Sequence, residues 1–131
     1  MYEQSIKLDP QNGLALNNLA FLIAEGGSGD LDQALTYAQR AKQVLPNLGE
    51  VSDTLGWIYL KKNMSDNAMD IFQGLVNKMP GNSTYRFHLG LAYAQKGDKP
   101  NALRELQQAL RSSPAKDEEN KIRDLINKLQ A

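Results

Sequence analysis

No cysteine occurs among the 131 residues, so disulfides and thiolate metal sites are excluded. Histidine occurs once, at His88, with no second histidine to complete a zinc set. Neither sign of charge dominates. Fifteen basic residues face fifteen acidic ones, a balance that calls for neither nucleic acid nor an anionic membrane. No apolar run is long enough to span a bilayer, so no membrane insertion is expected. Met1-Tyr2-Glu3-Gln4 opens without the basic and apolar regions of a secretory signal. Gly26-Gly27-Ser28-Gly29 lacks the lysine and the spacing of a phosphate loop, and Ser28 has no nucleophile-elbow motif around it. The acidic pairs Asp66/Asp70 and Glu118/Glu119 read as solvated or capping charges, and Lys61-Lys62 is too short for a nucleic-acid patch. The expectation is a chain that is not an enzyme and carries no cofactor or metal.

What the chain does have is a repeat. Prolines stand at Pro10, Pro46, Pro80 and Pro114, spaced 36, 34 and 34. Ala34, Ala68 and Ala102 keep a spacing of 34, and Leu19, Leu55 and Leu89 are spaced 36 and 34. Leu55-Gly56-Trp57-Ile58-Tyr59 recurs as Leu89-Gly90-Leu91-Ala92-Tyr93. Each unit reads as two helices. Val51, Leu55 and Ile58 form one amphipathic stripe, opened by Asn47 with Glu50 as a capping box. Ser65 is placed to cap a second helix carrying Ala68, Ile71, Phe72, Leu75 and Val76, which Pro80-Gly81 ends. In the next unit Asn82 or Ser83 opens the first helix and Gly97-Asp98 separates the pair. The first unit has two extra residues within Glu25–Asp30, where an insertion lengthens a turn and leaves packing alone. Gly56, Gly90 and Ala20 recur in register inside first helices, facing Ala34, Ala68 and Ala102, as close backbone approach requires.

This pattern resembles the tetratricopeptide repeat, W-x2-L-G-x2-Y, then A-x3-F, then P. The second unit gives Ser52, Leu55, Gly56, Tyr59, Ala68, Phe72 and Pro80; the third gives Arg86, Leu89, Gly90, Tyr93, Ala102, Leu106 and Pro114. The first, with Leu16, Leu19, Ala20, Ile23, Ala34, Ala38 and Pro46, matches least. The resemblance implies an all-α, right-handed superhelical solenoid of antiparallel helix pairs. Its expected divisions are 1–12 as the end of a truncated preceding repeat, 13–48, 49–82 and 83–116 as repeats, and 117–131 as a capping helix. Tyr2, Ser5 and Asp9-Pro10 take the register of Phe72, Leu75 and Met79-Pro80, so the chain is expected to be the C-terminal part of a longer array. Its Leu-Gly-Trp-x-Tyr style is similar to bacterial members. Ile122, Leu125, Ile126 and Leu129 form the apolar stripe of the capping helix, behind the acids Asp117, Glu118 and Glu119.

In the resembled family the concave face is lined by a further stripe of each first helix. Carried over, it comprises Leu14, Asn17, Phe21, Ala24 and Glu25, then Glu50, Asp53, Trp57, Leu60 and Lys61, then Thr84, Phe87, Leu91, Ala94 and Gln95. Asn18, Thr54 and His88 border it. Aromatics beside amides and carboxylates suit an extended peptide or a partner helix, although Phe21, Trp57 and Phe87 serve equally as filling between helices. Asn17 and Asn18 are poor mid-helix residues, which hints at a hydrogen-bonding task. Family members that grip the C-terminal carboxylates of chaperones use Lys, Asn, Asn, Lys and Arg where this chain has Asn17, Phe21, Thr54, Thr84 and His88, so that use is rejected. The expectation is a protein–protein scaffold binding a peptide or partner helix of unknown identity, with a spacer or oligomerisation segment as the alternative. It would be a monomer or a weak dimer through Met1–Pro10. A cytoplasmic location is favoured, and removal of an upstream signal would leave periplasmic or other extracytoplasmic sites open.

Overall fold

The computed structural model describes residues 12–26 and 30–131. The expectations placed on residues 1–11, including a dimer contact through them, and on residues 27–29 lie outside the described residues. Among the described residues there are seven α-helices and no strand: α1 (Gly13–Glu25), α2 (Leu31–Val44), α3 (Gly49–Lys61), α4 (Ser65–Lys78), α5 (Ser83–Lys96), α6 (Lys99–Arg111) and α7 (Lys116–Gln130). They fall into two compact units, Met1–Met64 and Ser65–Ala131, so that α3 belongs to the first and α4 to the second.

Helix starts follow from short polar side chains that accept from otherwise unpaired amides. Asn12 Oδ1 accepts from the Ala15 amide at 3.0 Å, and Asn82 Oδ1 does the same for Tyr85 at 3.0 Å. Asp30 caps α2 through Asp32 and Gln33, and Asp98 caps α6 through Asn101. Two expected caps fall elsewhere. The cap of α3 is Leu48, with no side-chain bond, because the turn returning the Leu48 amide to Leu45 sets the cap one residue past Asn47. Glu50 is then the second helical residue, out of capping-box register. Ser65 is itself the first residue of α4, and its hydroxyl donates to Gln95 Oε1 at 2.6 Å.

Two of the described linkers share one backbone device. The Met64 amide donates back to the Tyr59 carbonyl at 2.9 Å, and the Asp98 amide to the Tyr93 carbonyl at 2.9 Å. Each bond closes over a left-handed residue, Asn63 at φ 61° or Gly97 at φ 89°. This is the arrangement by which a helix end satisfies its last carbonyls, and Gly and Asn enter it at least cost.

In the first unit α1 packs on α2, and α3 packs on both. Leu16, Ala41 and Val51 form a buried cluster, with Tyr37 and Leu45 against it. In the second unit α5 packs on α4 and α6, and α7 covers α6 and part of α5. There Phe87, Leu106, Ala109 and Ile122 make the buried cluster, joined by Leu91, Leu110, Leu125, Ile126 and Leu129. Close approach of α5 and α6 depends on Gly90. A Cβ built there would stand 2.8 Å from Leu106 Cδ2 and 3.5 Å from the Ala102 carbonyl oxygen.

Candidate partner-binding face

Residues at equivalent places of α1, α3 and α5 share a fate only in part. Leu14 and Phe21 of α1 are 54% and 44% exposed, large values for apolar side chains. Glu50 and Lys61 of α3 are exposed, and Asp53 and Trp57 are half-buried. Asn17 is buried, at 7% exposure, and Asn18 is half-buried. Ala24, Thr54 and Leu60 are buried as well, and the Thr54 hydroxyl donates to the Glu50 carbonyl at 3.1 Å.

α1 and α3 pack on each other, and one side-chain contact joins their C-terminal ends. Lys61 Nζ stands 3.4 Å from Glu25 Oε2, a pairing of residues 36 positions apart, the repeat spacing of the first unit. Residues sharing that spacing hold matching register positions on the two helices, in rows: Phe21 with Trp57, Asn17 with Asp53, and Leu14 with Glu50. The Lys61 ammonium also lies 5.4 Å from the Trp57 ring centroid, so one cation is held by a carboxylate and an aromatic face together. Asn17 is not well bonded locally. Its Oδ1 is sealed from solvent without a hydrogen-bond partner among the described residues. Such an atom forfeits its bonds to water for nothing in return.

The second unit presents a different surface. Phe87 is 8% exposed and belongs to the core cluster under α7. Leu91 is half-buried against the same cluster. Half-buried His88 lies with its ring centroid 5.3 Å from that of Phe72 and 5.7 Å from that of Phe87. Thr84 is engaged by the neighbouring helix: its hydroxyl lies 3.0 Å from both Glu118 carboxylate oxygens, with the Ser83 hydroxyl at 3.4 Å from one. Glu118 thus does more than favour the α7 N-terminus, its sequence-level role. The signal that could have found it was present, since Glu118 lies 34 residues beyond Thr84, one repeat on. Ala94 is half-buried, and exposed Gln95 takes the Ser65 hydroxyl. A cleft of about 350 Å³ between α6 and α7, lined by Gln107, Leu110, Arg123, Ile126, Asn127 and Gln130, had no sequence-level sign.

Among the described residues no group of three or more His, Cys, Asp or Glu could hold a metal ion. No helix there is long and apolar enough to cross a membrane.

Amphipathic helices that pack on one another in succession within each unit, with the same backbone cap at two of their ends, define a helical-repeat fold. Tetratricopeptide repeat models match the chain at residues 1–36, 54–82 and 83–116, and the chain belongs to the tetratricopeptide repeat family. Membership makes it, in class, a protein–protein interaction scaffold. Solved structures share the fold at low identity. MamA 41-end from Desulfovibrio magneticus RS-1 superposes with a TM-score of 0.82 at 20% identity, over 98% of this chain and 70% of that one. The MamA RS-1 ArsTM double mutant gives 0.81 at 20% identity, over 98% and 69%. A chain of the APC/C hetero-tetramer Cut9–Hcn1 gives 0.84 at 22% identity, over 99% of this chain and 26% of that one. The chain has no significant match among curated proteins.

Proposed function

We propose that this chain is a binding module, without catalysis of its own, that holds a peptide or partner helix against the exposed strip of its first helices. The observation that carries the reading is the α1–α3 face. Leu14 and Phe21 stand well exposed there, beside Trp57 and among polar groups able to fix a register. Apolar side chains of this size at the surface are matched to a partner more often than to water when they cluster within a polar rim. The second unit adds less, because Phe87 is committed to the core and Thr84 to Glu118.

The test compares the native protein with an Asp53→Lys, Phe21→Ser variant, both immobilised and exposed to lysate of the source cells. Exposed Phe21 is changed and buried Phe87 left alone, since losing a buried Phe would cost roughly 3–5 kcal/mol of stability. Circular dichroism checks that both remain folded. A protein held by the native form and released by the variant supports the groove reading. Equal capture by both, or none, moves the assignment to a spacer or assembly segment.

A further inference from the structure

We infer that the α1–α3 face selects a basic, apolar segment of its partner, one in which a lysine or arginine is flanked by aliphatic or aromatic side chains. The inference rests on the proposed function above and names the chemistry of the occupant.

The rows set by the Glu25–Lys61 contact give the face an order. At the C-terminal ends of the two helices the charges cancel, because Lys61 is held by Glu25 at 3.4 Å and lies over Trp57. Below them comes the aromatic row, Phe21 and Trp57. The next two rows carry no cation: Asn17 with Asp53, then Leu14 with Glu50. Four charged residues thus stand on the face, three of them carboxylates, and the single ammonium is already spoken for. Glu50 is exposed. Asp53 is engaged within the protein, so it adds charge to the field without being counted as a vacant contact.

A face of this kind favours a cation at the acidic end and apolar groups on Leu14 and Phe21. It disfavours an acidic segment, which would bring like charges together at substantial cost. The chain as a whole is neutral, so this preference belongs to the face and not to the molecule. A lysine or arginine stem can lie along Leu14 while its head reaches toward Glu50.

Three fluorescein-labelled nonapeptides test the idea: alternating Leu and Lys, alternating Leu and Ser, and alternating Leu and Glu. Binding is read by anisotropy and by emission of Trp57, the only tryptophan in the chain. The Leu–Lys peptide should bind tightest and change Trp57 emission. Its affinity should fall at least about tenfold in an E50Q/D53N variant and again in F21A, and should fall with added salt. The same charge change made elsewhere, D117N/D124N, should leave it within about twofold, which separates this face from diffuse attraction. Equal binding of all three peptides, no binding of any, or equal losses in E50Q/D53N and D117N/D124N would overturn the inference. If the peptides fail while the lysate partner is still lost by Asp53→Lys, Phe21→Ser, the groove stands and only the basic preference falls. If neither peptide nor lysate partner depends on these residues, both fall.

Discussion

Asn17 and Phe87 occupy equivalent places in their repeats, and both are buried, one as an amide and one as a ring. The ring belongs there; the amide leaves an oxygen without a bond. Replacing Asn17 with Leu should therefore stabilise the fold by roughly 1–2 kcal/mol, seen as a higher denaturation midpoint at unchanged slope. A lower midpoint would mean that the amide is satisfied in solution. Gly90 gives the opposite sign. Gly90→Ala drives a methyl to 2.8 Å from Leu106 and should cost about 1–3 kcal/mol by the same measurement. That glycine was legible in sequence because it recurs with Gly56 in a helix that would otherwise exclude it. The burial of Asn17 was not. Its place on the helical wheel is shared with half-buried Asp53, and only the neighbouring helices decide how deep that place lies.

At the scale of elements, the ion pairs divide by burial. Arg86 stands where the family repeat has a tryptophan. Its Nη1 donates to Glu105 at 2.8 Å and its Nε to the Pro80 carbonyl at 3.0 Å, tying α5 to α6 and to the turn before it. The Glu105 side chain is only 8% exposed. Glu105→Ala takes the carboxylate partner from a mostly buried guanidinium and should cost roughly 3 kcal/mol in chemical denaturation. Asp66 pairs with Lys96 at 2.6 Å between α4 and α5, with both side chains at least half exposed, and Asp66→Ala should cost under about 1 kcal/mol. The equivalent pair of Lys62 with Asp32 joins α2 and α3. Sequence reading missed this recurring tie because its partners are 30 residues apart, outside any helical period. On α7, the hydrogen bond from Arg123, aided by Lys116, holds the Glu119 carboxyl below the ordinary glutamate value. A lowered folded value means that the contribution is present above the unfolded glutamate value and is lost as pH falls through the folded one. Carboxyl carbon NMR should show Glu119 titrating below that range, moving up in Arg123→Ala.

Across the whole molecule, the two units bury different kinds of side chain. Among the described residues, six of the eleven buried apolar residues of the first unit are alanine, against four of twelve in the second. The second unit also holds Phe72, Phe87, Leu106 and Ile122. Larger side chains remove more apolar surface from water, at roughly 0.8 kcal/mol per buried methylene. Native-state hydrogen exchange should accordingly find the core amides of α1–α3 opening at lower free energy than those of α5 and α6. Equal protection would show that the units unfold together. The division itself was not readable in the repeat spacing, which treats α3 and α4 as one pair; it reflects how contacts are distributed between neighbours and not how the sequence repeats.

The linkers at Asn63 and Gly97 carry an evolutionary consequence. Each is constrained by its own backbone, since a left-handed residue closes the helix end whatever the partner is. Leu14, Phe21 and Glu50 carry no such constraint, because none of them shapes a turn or fills the interior. A lineage can therefore rewrite what the module recognises by changing those side chains, while selection on the linkers keeps those two helix ends closing in the same place. Descendants with different partners would be recognised as kin by their turns long after their faces had ceased to resemble one another.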